Sequence, residues 1–208
     1  KTDGIHLSAA LRYFVNNGEF VDLGLYFYKY PDGAKLSNSY LLKYCESSHV
    51  REQKKLTICL FDCDDPKIVN KCRDKNLLYK NWGNNIYSCL LPKPSHRNFE
   101  EVCIEHFYSD AILLRQDTKG RRIYLSDEFK EDGHHKTEDL TLRKRTDAKS
   151  SYPKIIDSGV FKPNGDNISL SKNDFANHIA RADENFQGVS FENFRPIFQL
   201  LKEIIDLG

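Results

Sequence analysis

Leu56-Thr57-Ile58-Cys59-Leu60-Phe61-Asp62-Cys63-Asp64-Asp65 is the stretch from which the fold is read. Its first six residues are almost wholly apolar, with Leu56, Ile58 and Leu60 alternating against Thr57, Cys59 and Phe61. Neither set is polar, which is the pattern of a central parallel strand covered on both faces. The run then meets three carboxylates and Pro66. Asp62 and Asp64 stand two residues apart, so in extended backbone both side chains leave on the same side. Like charges held that close repel, and a cation between them relieves the repulsion. An acidic turn that merely ends a strand accounts for the same residues.

Upstream, Leu7, Ala10, Leu11, Phe14 and Val15 fall on one stripe of a helix running from Asp3 to about Asn17, closed by Asn17-Gly18. Leu23 to Tyr30 alternates like an aromatic-rich strand that Pro31-Asp32-Gly33 ends. Ser39 to Cys45 reads as a short helix. Downstream, Pro66 to Arg73 is a helix with Pro in its first turn, where the missing N–H costs nothing, and Asp65 is placed to cap it. Gly83-Asn84-Asn85 is a turn before a further buried strand, Ile86 to Leu91, which Pro92 and Pro94 stop. Helix and strand alternate three times, so the expected fold class is α/β, a doubly wound sheet with helices on both faces. A helix opening at residue 3 of such a unit implies that the first strand lies upstream and is missing from this chain.

The second half is less regular. Glu101 to Leu114 is expected to be helical for part of its length, and Arg121 to Leu125 to form a strand. Asp127 to Lys154 is densely charged, with Gly133-His134-His135 and the cluster Arg143-Lys144-Arg145, and reads as an exposed loop or insertion. Ser171 is an N-cap with Asp174 three residues on, and Phe175, Ile179 and Ala182 mark the buried side of the helix it starts. Phe191, Phe194, Phe198, Leu201 and Ile205 then repeat at helical spacing. The layout is one domain over 1–208: a core to about residue 115, a charged insertion at about 127–154, and a C-terminal helical extension at about 171–207.

The bulk composition excludes several classes. With 31 basic and 30 acidic residues the formal charge is +1, so no field draws a polyanion to the whole molecule, and any nucleic-acid contact must use a local patch. No apolar run is long enough to span a bilayer and no secretory signal opens the chain. The six cysteines, at 45, 59, 63, 72, 89 and 103, include no pair with the two-residue gap of a zinc knuckle or redox dithiol, and they read as reduced core thiols of a cytoplasmic protein. No Met occurs, not even at position 1, as expected of a chain that begins inside a longer polypeptide or has been trimmed.

Four segments in this order resemble the TOPRIM domain of OLD-type (overcoming-lysogenization-defect) ATP-dependent nucleases and their bacterial phage-defence relatives. Lys1-Thr2-Asp3 is similar to the tail of that family's Glu-Gly-x-x-Asp motif, Phe61-Asp62-Cys63-Asp64 to its Asp-x-Asp strand end, Cys103-Ile104-Glu105 to its later acidic position, and Ser171 to Ala176 to the segment carrying its lysine. The resemblance implies a Rossmann-like TOPRIM sheet and a Mg²⁺- or Mn²⁺-dependent endonuclease acting on DNA or RNA. It also implies an ATPase domain or subunit upstream and a possible homo-oligomer. Under it, Asp3, Asp62, Asp64 and Glu105 are the metal ligands, and Asp62, Asp64, Glu105 and Lys172 carry catalysis. The motif's leading Glu, itself a metal ligand and general base in the family, would precede Lys1 and is not in this chain.

Each residue has a plainer role. Asp3 can simply face the dipole of its helix, Glu105 beside His106 can lie on a solvated face, and Lys172 can be a first-turn surface lysine. His134 and His135 lack further ligands at zinc spacing. Arg121, Arg122, Arg143, Lys144 and Arg145 can contact a nucleic-acid backbone or only water. Two rival functions remain: a non-catalytic TOPRIM-like sensing or assembly module, and, more distantly, a HAD-type phosphatase with Asp62 as nucleophile. Against the latter, Pro66 stands where that motif carries Thr or Val.

Overall fold

A computed structural model describes residues 2–28 and 37–207. The chain is mixed α/β, with six α-helices and small sheets among the described residues. It divides into two compact units. The first takes in Ala10–Phe107 and Phe191–Gly208, the second Thr2–Ala9 and Tyr108–Ser190.

In the first unit, β1 (Thr57–Phe61) pairs in parallel with β3 (Ile86–Leu90), with Ile58 opposite Tyr87 and Phe61 opposite Leu90. Antiparallel β2 (Tyr79–Gly83) lies on the other side of β3, giving the order β1-β3-β2. Asn84 and Asn85 turn the β2–β3 hairpin with φ of +50° and +64°, positive values that asparagine tolerates and that match the twist of the flanking strands. All five residues of β3 are buried, whereas in β1 only Cys59 and Phe61 are. The expectation of β1 as a central strand covered on both faces is therefore corrected among the described residues. β3 is the middle strand, because the hairpin inserts it between β1 and β2. β2 itself escaped sequence reading because Lys80, Asn81 and Gly83 break any apolar alternation.

Helices α2 (Asn38–Ser48) and α3 (Pro66–Cys72) supply the rest of this core, in which Leu42, Cys45, Ile68 and Cys72 meet Cys59, Phe61, Ile86 and Leu90. Fully burying each larger apolar side chain contributes roughly 1.5–3 kcal/mol. A second cluster forms where α6 (Arg195–Leu207) presents Phe198 to Phe14 of α1 (Asp3–Asn16) and to Phe20, at ring separations of 5.6 and 5.7 Å. Residues 23–28 form no strand, and the remainder of the strand and turn expected at 23–33 lies outside the described residues.

In the second unit, β4 (Tyr124–Leu125) pairs with β6 (Ile155–Ile156) and β5 (Thr141–Leu142) with β7 (Val160–Phe161), both antiparallel. The expectation of an exposed loop over 127–154 is corrected here. Phe129, Leu140 and Leu142 from that segment are buried with Tyr124, Ile156 and Val160 in one small core. Three apolar residues among so many charges carry no periodic signal; they form a core only because their partners come from outside the segment. The partial helix expected at 101–114 is a 3-10 turn at Ile104–Phe107 and, in the second unit, a single turn α4 (Asp110–Leu113). Helix α5 (Lys172–Arg181) begins as the sequence predicts, the Asp174 N–H donating to Ser171 Oγ at 3.0 Å. Among the described residues no helix is long and apolar enough to cross a membrane, and all six cysteines are free.

Candidate functional site

The acidic corner is built by backbone geometry. β1 ends as Leu91 N–H donates to the Phe61 carbonyl at 3.0 Å, and two residues later Cys63 N–H donates to the Val102 carbonyl at 2.8 Å. That second bond ties the corner to the segment carrying Glu105. The chain turns, and Asp65 Oδ1 accepts the Lys67 N–H at 2.9 Å, capping α3 with Pro66 in its first turn. Asp65 therefore has a structural role. Asp62 is half-buried and Asp64 exposed, one on either side of Cys63. The Cys63 S–H donates to the Leu91 carbonyl at 3.3 Å. Burial, and then the nearby carboxylates of Asp62, Asp64 and Glu100, push this thiol up to about 12. It stays neutral at ordinary pH and adds no negative charge to the corner.

An open hollow of about 300 Å³ lies beside Cys63. Leu90 and Leu91 form part of its apolar floor, and Arg73, Lys93 and Glu100 stand at its rim. Lys93 and Glu100, both lining it, pair at 2.6 Å. Cys63 and Glu100 were missed by sequence reasoning. The signal for the first was a thiol flanked on both sides by aspartate; Glu100, so far along the chain, gave none.

Glu105 lies in the 3-10 turn and is 1% exposed. Around it the Cys103 N–H donates to His106 Nδ1 at 3.0 Å, and Arg97 Nε donates to the His106 carbonyl at 3.0 Å. The solvated helix face weighed for Glu105 and His106 is thus corrected: both are buried. Asp3 and Lys172 belong to the second unit. Asp3 is the first residue of α1, and Lys172 the first of α5, its backbone N–H donating to Asp157 Oδ2 at 3.4 Å.

Among the described residues no three His, Cys, Asp or Glu side chains form a group arranged to hold a metal ion. In the first unit Asp62 and Asp64 each lie close enough to Cys63 to act on its proton. A Mg²⁺ ion needs only one or two carboxylates, with water and phosphate completing its shell. The first unit by itself offers Asp62 and Asp64 to an ion bound mainly through water, while Asp3 belongs to the second unit.

The basic residues separate sharply. Arg121 is bound to Asp117 at 2.8 Å, and Arg122 is buried in a two-pronged pair with Glu128, at 3.1 and 2.7 Å. Both are committed to holding the fold. Arg143, Lys144 and Arg145 are exposed. His135 is buried, its Nδ1 accepting the Glu138 N–H at 3.0 Å and its Nε2 lying 3.3 Å from Glu128. That is the environment of a structural histidine. Compared with known protein families, curated proteins and solved structures, the chain matches none.

Proposed function

We propose that this chain is the TOPRIM-like part of a larger, ATPase-linked protein and hydrolyses phosphodiester bonds of DNA or RNA with Mg²⁺ or Mn²⁺. The observation that carries the reading is the position of Asp62 and Asp64 at the carboxyl end of a strand paired in parallel with its neighbour. Open α/β sheets bind their ligands at that edge. The finer fold, a Rossmann-like TOPRIM sheet with helices on both faces, belongs to the same proposal.

Asp62 and Asp64 would hold the divalent ion, which when bound polarises a phosphoryl oxygen and makes water a better nucleophile. The chain's own contribution is positional. The Cys63 N–H bond to Val102 and the Asp65 cap keep the two carboxylates on a short, fixed corner. The protonated Cys63 thiol leaves the carboxylates as the only anions the corner itself supplies. Lys172 is the residue proposed to offset charge on the scissile phosphate, and Glu105 to support the acidic site.

The test is plasmid nicking and single-strand cleavage with Mg²⁺ or Mn²⁺, comparing the longer protein carrying this chain with its Asp62→Ala variant. Loss of one charged group from such a site is expected to slow cutting by about a hundredfold or more; equal cutting by both proteins overturns the proposal. A second reading, a non-catalytic TOPRIM-like module, is favoured by the contrast between buried Glu105 and exposed Asp64. It predicts no cutting by either protein.

A further inference from the structure

The small sheet of the second unit has two unlike faces. Leu142, Val160 and Ile168 point into its core. The alternating positions form a row across the sheet: His134 bridges to Thr141, Thr141 pairs with Phe161, and Phe161 bridges to Asn167. Paired residues of antiparallel strands project to the same side, so these four share the outer face. Arg143, two residues beyond Thr141, lies on that face too, and its guanidinium sits 4.7 Å over the Phe161 ring.

Charge is concentrated around this row. Residues 141–162 carry six Lys and Arg against two Asp, in a chain whose formal charge is +1. Asp147 pairs with Lys154 at 2.7 Å and with Lys144 at 3.5 Å. Among the described residues Arg143, Arg145 and Lys162 have no carboxylate within ion-pair distance; Asp132 lies within electrostatic reach of Arg145.

We infer that this outer face is a docking surface for single-stranded nucleic acid, with Arg143 and the exposed flanking cations Arg145 and Lys162 on the phosphates and the Arg143–Phe161 stack as a platform for a base. The chemistry favours a single strand: guanidinium planes and aromatic rings take up unstacked bases, whereas a duplex hides its base faces. Strand positions about 4.8 Å apart make the row about 14 Å wide, room for a few nucleotides. The inference rests on the polynucleotide substrate proposed above, yet it is read by binding alone.

The experiment is fluorescence anisotropy of a labelled dT12 oligonucleotide, with a U12 arm, titrated with the chain in EDTA at several salt concentrations. Each phosphate contact adds about −0.7 to the slope of log K against log salt for single strands. The double variant Arg143→Ala/Arg145→Ala should therefore flatten the slope by about 1.4. Phe161→Leu should weaken binding about tenfold with little change in slope. Lys162→Glu, at an exposed position, guards against misfolding of the double variant and should also flatten the slope. Lys54→Ala/Lys55→Ala, in the first unit, should change nothing. The inference is overturned if the chain does not bind dT12 or U12, or if the Arg143, Arg145 and Lys162 variants bind like wild type. It is also overturned if heparin or phosphatidylserine vesicles bind as tightly while Phe161→Leu has no effect on dT12. A chain that binds dT12 here but never cuts sinks only the nuclease reading.

Discussion

Glu128→Ala should be the most damaging single change in the second unit. Glu128 accepts both guanidinium prongs of Arg122, at 3.1 and 2.7 Å, and the Leu125 N–H at 2.6 Å. His135 Nε2 lies 3.3 Å away. The side chains of Arg122 and Glu128 are 8% and 20% exposed, so the pair is mostly screened from water. Removing the carboxylate leaves the buried guanidinium only the exposed Glu138 carboxylate, at 3.3 Å, a loss toward the lower end of about 3–5 kcal/mol. Glu128→Gln keeps the shape and an acceptor for Leu125 but loses the charge, and should cost about 1.5–3 kcal/mol. Replacing both partners by apolar residues, Arg122→Met/Glu128→Leu, should recover much of the loss, since the penalty lies in the unpaired charge. The pH dependence has a definite sign. Burial pushes the Glu128 carboxyl up, but Arg122, the Leu125 N–H and His135 outweigh it and hold it below its ordinary 4.5. Its contribution is present above that value and lost as pH falls through the lower, folded one. Wild type should therefore lose more stability on acidification than Glu128→Gln does. The assay is urea unfolding by far-UV circular dichroism together with amide exchange over residues 129–142, because the single Trp, Trp82, reports on the first unit. A cost for Glu128→Ala under about 1 kcal/mol, the range of an exposed pair, with exchange unchanged, would refute this account.

Cys63, held at about 12, should react with iodoacetamide at pH 8.5 about a thousandfold more slowly than a thiol at the ordinary 9.0. Asp62→Asn should speed the reaction, and mass spectrometry of the Cys63 peptide reads both; a native rate within tenfold of the unfolded chain's, roughly one pK unit, contradicts the assignment. The same shift makes stability fall above about pH 9, because the unfolded thiol releases its proton while the folded one retains it. Phe61→Ala, at a side chain 1% exposed, should cost about 3–5 kcal/mol in a urea melt followed by Trp82 fluorescence. Trp82 packs against the same core and donates to Ser88 Oγ at 2.9 Å, so an unshifted midpoint would mean that this core is not load-sharing.

Elements whose determinants are local were legible in the chain. Asp65 before Pro66, Ser171 before Asp174 and the apolar stripe of α6 each specify a helix through neighbours within a turn or two. Asn84-Asn85 was legible as a turn, but the hairpin was not, because β2 is held by pairing with β3 rather than by its own residues. Of the candidate site, the acidic run from Asp62 to Asp65 just past the end of β1 was legible. Glu105 could not, since adjacency in sequence to His106 says nothing about depth, and the turn proves to be buried. The basic cluster misled in the opposite direction: Arg121 and Arg122 look like Arg143 and Arg145 in the sequence, and only their carboxylate partners set them apart.

Sequence by itself determined the mixed α/β character, the acidic end of β1 and the helix starts, because periodicity and capping act over a few residues. Tertiary structure alone decided that β3 is the middle strand among those described, that the charged segment after residue 126 encloses a core, and which cations face outward. Those outcomes depend on partners far apart in the chain, and a contact's energy depends on whether its partner arrives, which no local window records.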